Sequence, residues 1–222
     1  MLLSSSSIIA RGELALLALA APSISRPAWE KNAKASNGGV WIGNQGPNTF
    51  AFTNSAAAPV TVIIWTQAAG DYQSSFMNAR KPQVFTLLIR RSNRYNIHGK
   101  WSVSGGWAGL YNGKTTLSQY GQIYNTWGEF TTGAYATVDV SREVNMGGNA
   151  MSIQVDGCTS NMSKCVFKCK KGNTCGEAGT YFLSNCAAGS QKGATFGLAY
   201  GQPSGGCQGF NNGGKVSVTF SD

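Results

Sequence analysis

Carboxylates are scarce in this chain. It holds nine Asp and Glu against eighteen Lys and Arg in 222 residues, and only one acid, Asp71, falls between Lys31 and Gly128. Histidine is scarcer still. His98 stands alone, so a Ser-His-Asp triad would have to use it, and no G-x-S-x-G nucleophile motif accompanies it. Long apolar runs are missing after the leader, and none reaches the ~18 residues of a transmembrane helix. Cysteine is absent before residue 158. These absences argue against a histidine-based hydrolase, a histidine-rich metal centre and a helical membrane protein.

What the chain has in quantity is glycine, 29 residues, together with Ser, Asn, Thr, aromatics and β-branched residues, at a charged fraction of 12%. That mixture suits short strands joined by tight turns. Strand-like runs include NTFAFTN, PVTVIIWTQ, PQVFTLLI, QIYNTWGEFTT, AYATVDVS, AMSIQVDG, CVFKC, TYFLSN, TFGLAY and KVSVTFSD. The last alternates, with Val216, Val218 and Phe220 on one face. DYQSSFMNAR is the one helix candidate. Many short strands without a βαβ rhythm predict an all-β sandwich or barrel.

Residues 1–20 read as a secretory signal, an apolar stretch closing on Ala18-Leu19-Ala20, and the mature chain is expected to begin between Ala21 and Arg26. Residues 21–38 form a polar lead-in to a β domain spanning 39–222. The six cysteines, Cys158, Cys165, Cys169, Cys175, Cys186 and Cys207, fall in one tract. In an exported chain they read as three disulfides, with fifteen pairings open; the rival is a zinc site from Cys165, Cys169 and Cys175. Asn161-Met-Ser163 is a glycosylation sequon. The net charge of +9 favours anionic surfaces such as cell walls, acidic glycans or lipid head groups. Arg80, Lys81, Arg90, Arg91, Arg94 and Lys100 form a basic stretch whose part RRSNRYNIHGK fits no strand and reads as a solvated loop or a glycan patch. No nucleic-acid-binding motif accompanies it. The Gly209–Lys215 stretch lacks the Ser or Thr of a P-loop and precedes a strand, so an Asn-Gly turn accounts for it.

Against this background three acids, Glu129, Asp139 and Glu143, fall within fifteen positions. Strand alternation puts Trp127, Glu129 and Thr131 on one face, and Tyr135, Thr137 and Asp139 on one face of the next strand. If those strands pair through the TTGAY turn, Glu129 and Asp139 share a surface with Trp127 and Tyr135. Carboxylates accept sugar hydroxyls, flat rings cover the apolar face of a pyranose, and two carboxylates ~5 to 9 Å apart are what glycoside hydrolysis requires. The plainer reading is that each acid ties down a neighbouring backbone or an arginine.

The motifs resemble those of thaumatin-like proteins. Thr115-Thr116-Leu117 with Gly128-Glu129-Phe130, and Val138-Asp139-Val140-Ser141 with Asn145, resemble the family's central strands. Asn48–Asn54 running to Trp65 resembles its opening, and Lys215–Phe220 its end. The resemblance spans roughly residues 48–220, in order, and is closest to fungal secreted members that elicit plant defence and cell death. It implies a flattened β-sandwich with a small disulfide-stapled loop lobe, here 158–207, and an acidic cleft that binds β-1,3-glucan. Glu129 matches the cleft Glu, Asp139 its first Asp, Glu143 stands in for the second, and Lys100 is the candidate for the cleft Arg. The third Asp has no counterpart. The resemblance also implies the pairs Cys158–Cys207, Cys165–Cys186 and Cys169–Cys175. The expectation is a secreted, monomeric, cofactor-free binder of cell-wall polysaccharide, with a host plant protein as a further partner. An endo-β-1,3-glucanase using Glu129 and Asp139, or a basic membrane-active toxin, are the alternatives.

Overall fold

The computed structural model describes residues 40–42, 47–80, 84–88, 94–99, 103–133, 136–186, 198–199, 202–203, 205–208 and 214–222. The leader 1–20, the lead-in 21–38, Tyr135 and Lys100 lie outside them.

The chain is all-β. One mixed sheet has six strands in the order β1 (Val40–Ile42), β5 (Arg94–Gly99), β2 (Asn48–Asn54), β15 (Lys215–Phe220), β9 (Met151–Val155) and β10 (Cys158–Asn161). The second has seven, in the order β12 (Tyr181–Ser184), β11 (Val166–Cys169), β8 (Thr137–Ser141), β7 (Trp127–Thr131), β6 (Ser104–Tyr111), β3 (Val60–Thr66) and β4 (Val84–Leu88). A ribbon of β13 (Leu198–Ala199) and β14 (Gln202–Pro203) stands apart. The pairs β15–β2 and β11–β8 are parallel.

The two sheets form a sandwich because alternate residues of their strands are apolar. Phe50 and Phe52 of β2, Ile153 of β9, and Val216, Val218 and Phe220 of β15 meet Val62, Trp107, Phe130, Val138 and Val140 of the opposite sheet, all buried. Trp107 takes the edges of Phe50 and Phe52 at ring-centroid distances of 5.7 and 5.5 Å. Each such side chain withdrawn from water stabilises by roughly 1.5–3 kcal/mol.

β6, SGGWAGLY, gave no strand signal because glycine weakens one. One of its glycines, Gly106, makes room for a tryptophan, as does Gly128 of β7. Trp65 faces Gly106 across the β3–β6 ladder, and Trp107 faces Gly128 across the β6–β7 ladder. A Cβ on Gly128 would lie 2.1 Å from Trp107 Cε2, and one on Gly106 2.9 Å from Trp65 Cζ2. Each indole therefore lies over a glycine of the neighbouring strand, one on each face of the sheet.

Two expectations are corrected. Part of RRSNRYNIHGK is no loop: residues 94–99 form β5, which pairs with β1 on one side and β2 on the other. β2 carries β15 on one edge, and its second edge needs a ladder partner whatever that partner's intrinsic strand preference. The helix candidate is shorter than read, a single π-helical turn, Tyr72–Met77. Ser75, buried, anchors it by donating to the Asp71 carbonyl and accepting from the Ala68 amide.

The cysteines form Cys158–Cys207, Cys165–Cys186 and Cys169–Cys175, leaving no free thiol for zinc. The first two pack against the inter-sheet core. The tract is woven into both sheets, with β10 in one and β11 and β12 in the other. Three disulfides fit an oxidising, extracellular environment. No helix among the described residues is long and apolar enough to cross a membrane.

Candidate functional site

β7 and β8 are antiparallel, and their register sets Glu129 directly opposite Asp139. Directly opposed residues share a face, with Cβ atoms typically ~5 Å apart. Trp127 opposite Ser141 and Thr131 opposite Thr137 complete that face. It points away from the inter-sheet core, since the intervening Val138 and Val140 occupy the core. Glu143 follows two residues after β8 ends. Its backbone is fixed by the Cys175 amide, which donates to the Glu143 carbonyl at 2.8 Å.

Over this face lies a cleft of about 110 Å³. Glu129 and Trp127 line it from β7, and Glu143 and Val144 from the segment after β8. Tyr72, Phe76 and Met77 of the π-helical turn line one side, and Phe167, Cys175, Gly176 and Tyr181 the other. The Cys169–Cys175 bridge closes the 170–180 loop. That loop is tied back by the Thr174 hydroxyl, which donates to the Val144 carbonyl at 3.0 Å, and by the Asn173 amide, which donates to Tyr124 Oη at 2.7 Å and Asn145 Oδ1 at 3.1 Å.

Asp139 sits beneath the cleft and is only 5% exposed. Gly206 closes over it, near enough that a Cβ there would stand 3.1 Å from Asp139 Cβ. That segment is held by mutual backbone hydrogen bonds between Val138 and Cys207, at 2.9 and 2.8 Å. Asp139 Oδ1 has no hydrogen-bond partner among the described residues. Arg142, the nearest cation in sequence, turns away and donates to the carbonyls of Met146 and Met162.

Burial, nearly complete for Asp139 and partial for Glu129 and Glu143, drives all three acids toward their neutral forms, with no ion pair to them among the described residues. It pushes Glu129 up to about 7, against a hydrogen bond from the Ser141 hydroxyl that favours the carboxylate. Glu143 rises to about 9, through burial and then the charge of Glu129. Asp139 rises well above its ordinary range, through burial and then Glu129 and Glu143. Burial, followed by Glu129 and Glu143, also lifts the Tyr72 hydroxyl to about 12. Tyr181 moves in the same direction through burial, Glu143 and Glu129. The acids and phenols thus form one electrostatic group that donates and accepts hydrogen bonds while holding little charge.

Of the residues singled out from sequence, Glu129, Asp139 and Glu143 come together. Trp127 does too, but as packed wall. It is 1% exposed, its Nε1 donates to the Ile123 carbonyl at 2.8 Å, and its ring meets Trp65 and Phe76 edge-on at 4.9 and 6.2 Å. A buried indole offers no open face to a sugar. Tyr72, Phe76, Met77 and Tyr181 were missed, because they reach the cleft from distant segments with no shared period. The break in the strand pattern at DYQSSFMNAR is the one signal that marked any of them. Asn161 lies away from the site, its Oδ1 accepting from the Ser163 and Lys164 amides at 2.9 Å each in the turn between β10 and β11. Comparison with protein-family models and with curated proteins finds no match to this chain.

Proposed function

We propose that the protein is a secreted, thaumatin-like polysaccharide-binding module that takes a β-1,3-glucan of a cell wall at this cleft, and that such binding underlies a fungal elicitor activity toward plants. The observation that carries the reading is the opposition of Glu129 and Asp139 on the outer face of the β7–β8 ladder, with Glu143 and two phenols gathered round them. Mostly neutral carboxyl groups and phenols suit a polyol, because each both donates to and accepts from a hydroxyl. The three disulfides support an exported protein. The order of the strand motifs, from Asn48 to Phe220, supports the family assignment.

The glucanase reading keeps one specific support. A carboxyl raised to about 7 is poised as a proton donor near neutral pH, and a second carboxyl faces it across one ladder rung. A pull-down on insoluble β-1,3-glucan, chitin and cellulose, run beside a laminarin cleavage assay, separates the readings. Retention on glucan without cleavage is expected, with Glu129→Gln weakening retention. Cleavage abolished by Glu129→Gln would establish the enzyme instead, and retention on none of the polymers would remove both.

A further inference from the structure

A cleft of about 110 Å³ is too small to enclose a sugar residue, since sites that bury a ligand usually run to ~300 Å³ or more. Any glycan using these acids has to lie across the mouth, so the rim decides what binds. One rim residue has the required form. Tyr72 lines the cleft yet is 51% exposed. Phe76 lies nearly parallel to it, at 15° with centroids 5.3 Å apart, and so covers part of one ring face, while half of the residue's surface stays open to solvent. Phe76 is itself buried and seated against Trp127. The ring is therefore held in a fixed orientation by a column of aromatics, on a turn pinned by Ser75. π-helical turns of this kind recur at functional sites.

Resting on the polysaccharide reading above, we propose that Tyr72 is the stacking platform of the site, on which an internal pyranose of a neutral glycan lies while its hydroxyls reach Glu129 and Glu143. The pyranose presents C–H groups to the open ring face, and its equatorial hydroxyls project from the ring edge toward the carboxyls. An acidic sugar is disfavoured in that position, because its carboxylate would stand beside Glu129 and Glu143 and each carboxylate opposes the ionisation of the next. The site therefore selects against anionic glycans although the chain as a whole carries +9.

The test is titration of the full-length protein with soluble laminarin and with polygalacturonate at 150 mM salt. Tyr72→Ala should weaken laminarin binding about tenfold or more, the loss expected when an aromatic anchor is removed. Tyr72→Leu keeps apolar bulk on Phe76 without a flat ring and should lose affinity likewise, which guards against misfolding of the alanine variant. Tyr72→Phe should stay within about threefold of wild type, because the stacking face survives. Phe182→Ala is the control, an exposed aromatic that β12 directs away from Tyr181. Wild-type-like binding by Tyr72→Ala and Tyr72→Leu, with Glu129→Gln weakened, would overturn the platform and leave the polysaccharide reading standing. Polygalacturonate bound as tightly as laminarin would overturn the preference for neutral glycans. No laminarin binding by wild type would overturn both proposals together.

Discussion

The face of the seven-stranded sheet that carries Val138 and Val140 meets a second sheet, whereas the face that carries Asp139 and Ser141 meets a π-helical turn and a disulfide-closed loop. The same five residues of β8 supply both, and all five are buried. The inner face is mostly apolar and carries no carboxyl group on β8. The outer face has its own apolar patch, with Ile63, Trp65, Phe76, Ala108, Ile123, Trp127 and Val144, but it ends at three carboxyl groups. Burial alone therefore does not separate core from site. What separates them is the cover. A sheet brings regular ladders and apolar side chains, while loops can close over polar groups and still leave an opening.

Adjacent residues of β8 give the sharpest way to break this contrast. Val138→Asp places a carboxyl between the sheets with no partner, and should cost about 4 kcal/mol or more in chemical denaturation. Asp139→Asn, one residue on, should be neutral at pH 4 and stabilising at pH 8, because it removes a carboxyl that resists ionisation. Equal losses at the two positions would mean that the outer face tolerates polarity no better than the inner.

The disulfides divide the same way. Cys158–Cys207 joins elements at the inner core across a separation of 49 residues, and Cys169–Cys175 closes a loop at the cleft across 6. By loop-closure entropy, replacing the first pair with serines should cost about 4 kcal/mol and the second about 2 kcal/mol. Thermal unfolding checks the order. Only the second replacement should also weaken glucan retention, since Cys175 lines the cleft.

The sign of the pH dependence is fixed by the outer face. A carboxyl raised on folding contributes its full stability below its unfolded value and loses it as pH rises through the folded one. Stability should therefore fall from about pH 4.5, the ordinary value, through about 7 for Glu129 and on to about 9 for Glu143. Glu129→Gln should remove the lower part of the fall and shrink the rest, because the Glu129 charge raises both Glu143 and Asp139. A flat profile from pH 5 to 9 would contradict the burial of these acids.

The inner face was largely legible in the sequence. Alternation in KVSVTF put Val216, Val218 and Phe220 together, and the structure buries all three. Alternation also placed Glu129 and Asp139 on a common face, and the β7–β8 register sets them opposite each other. What alternation cannot report is what lies over a face. The cover comes from residues 72–77 and 170–181, far away in sequence and free of period. Trp127 therefore read as an open platform when it is packed wall, and Tyr72 was not read at all. β6 and β5 were missed for local reasons. In β6 the glycines make room for the side chains of Trp65, Phe130 and Val60, and β5 takes its place because β2 has an edge to fill.

The parallel pairing of β15 with β2 has a consequence for how the molecule is made. Residues 48–54 leave the ribosome long before residues 215–220, and the contact from the Ala57 amide to Asp222 spans 165 positions. Until β15 emerges, β2 and β9 have no neighbour between them, and the core lacks Val216, Val218 and Phe220. Such long-range closure is slow, and open strand edges recruit other chains. The nascent chain must therefore cross much of its synthesis with one edge of β2, and then one edge of β9, open. Quality control in the cell meets this protein mainly as an unfinished sandwich, and any product that stops short of β15 is left permanently in that state.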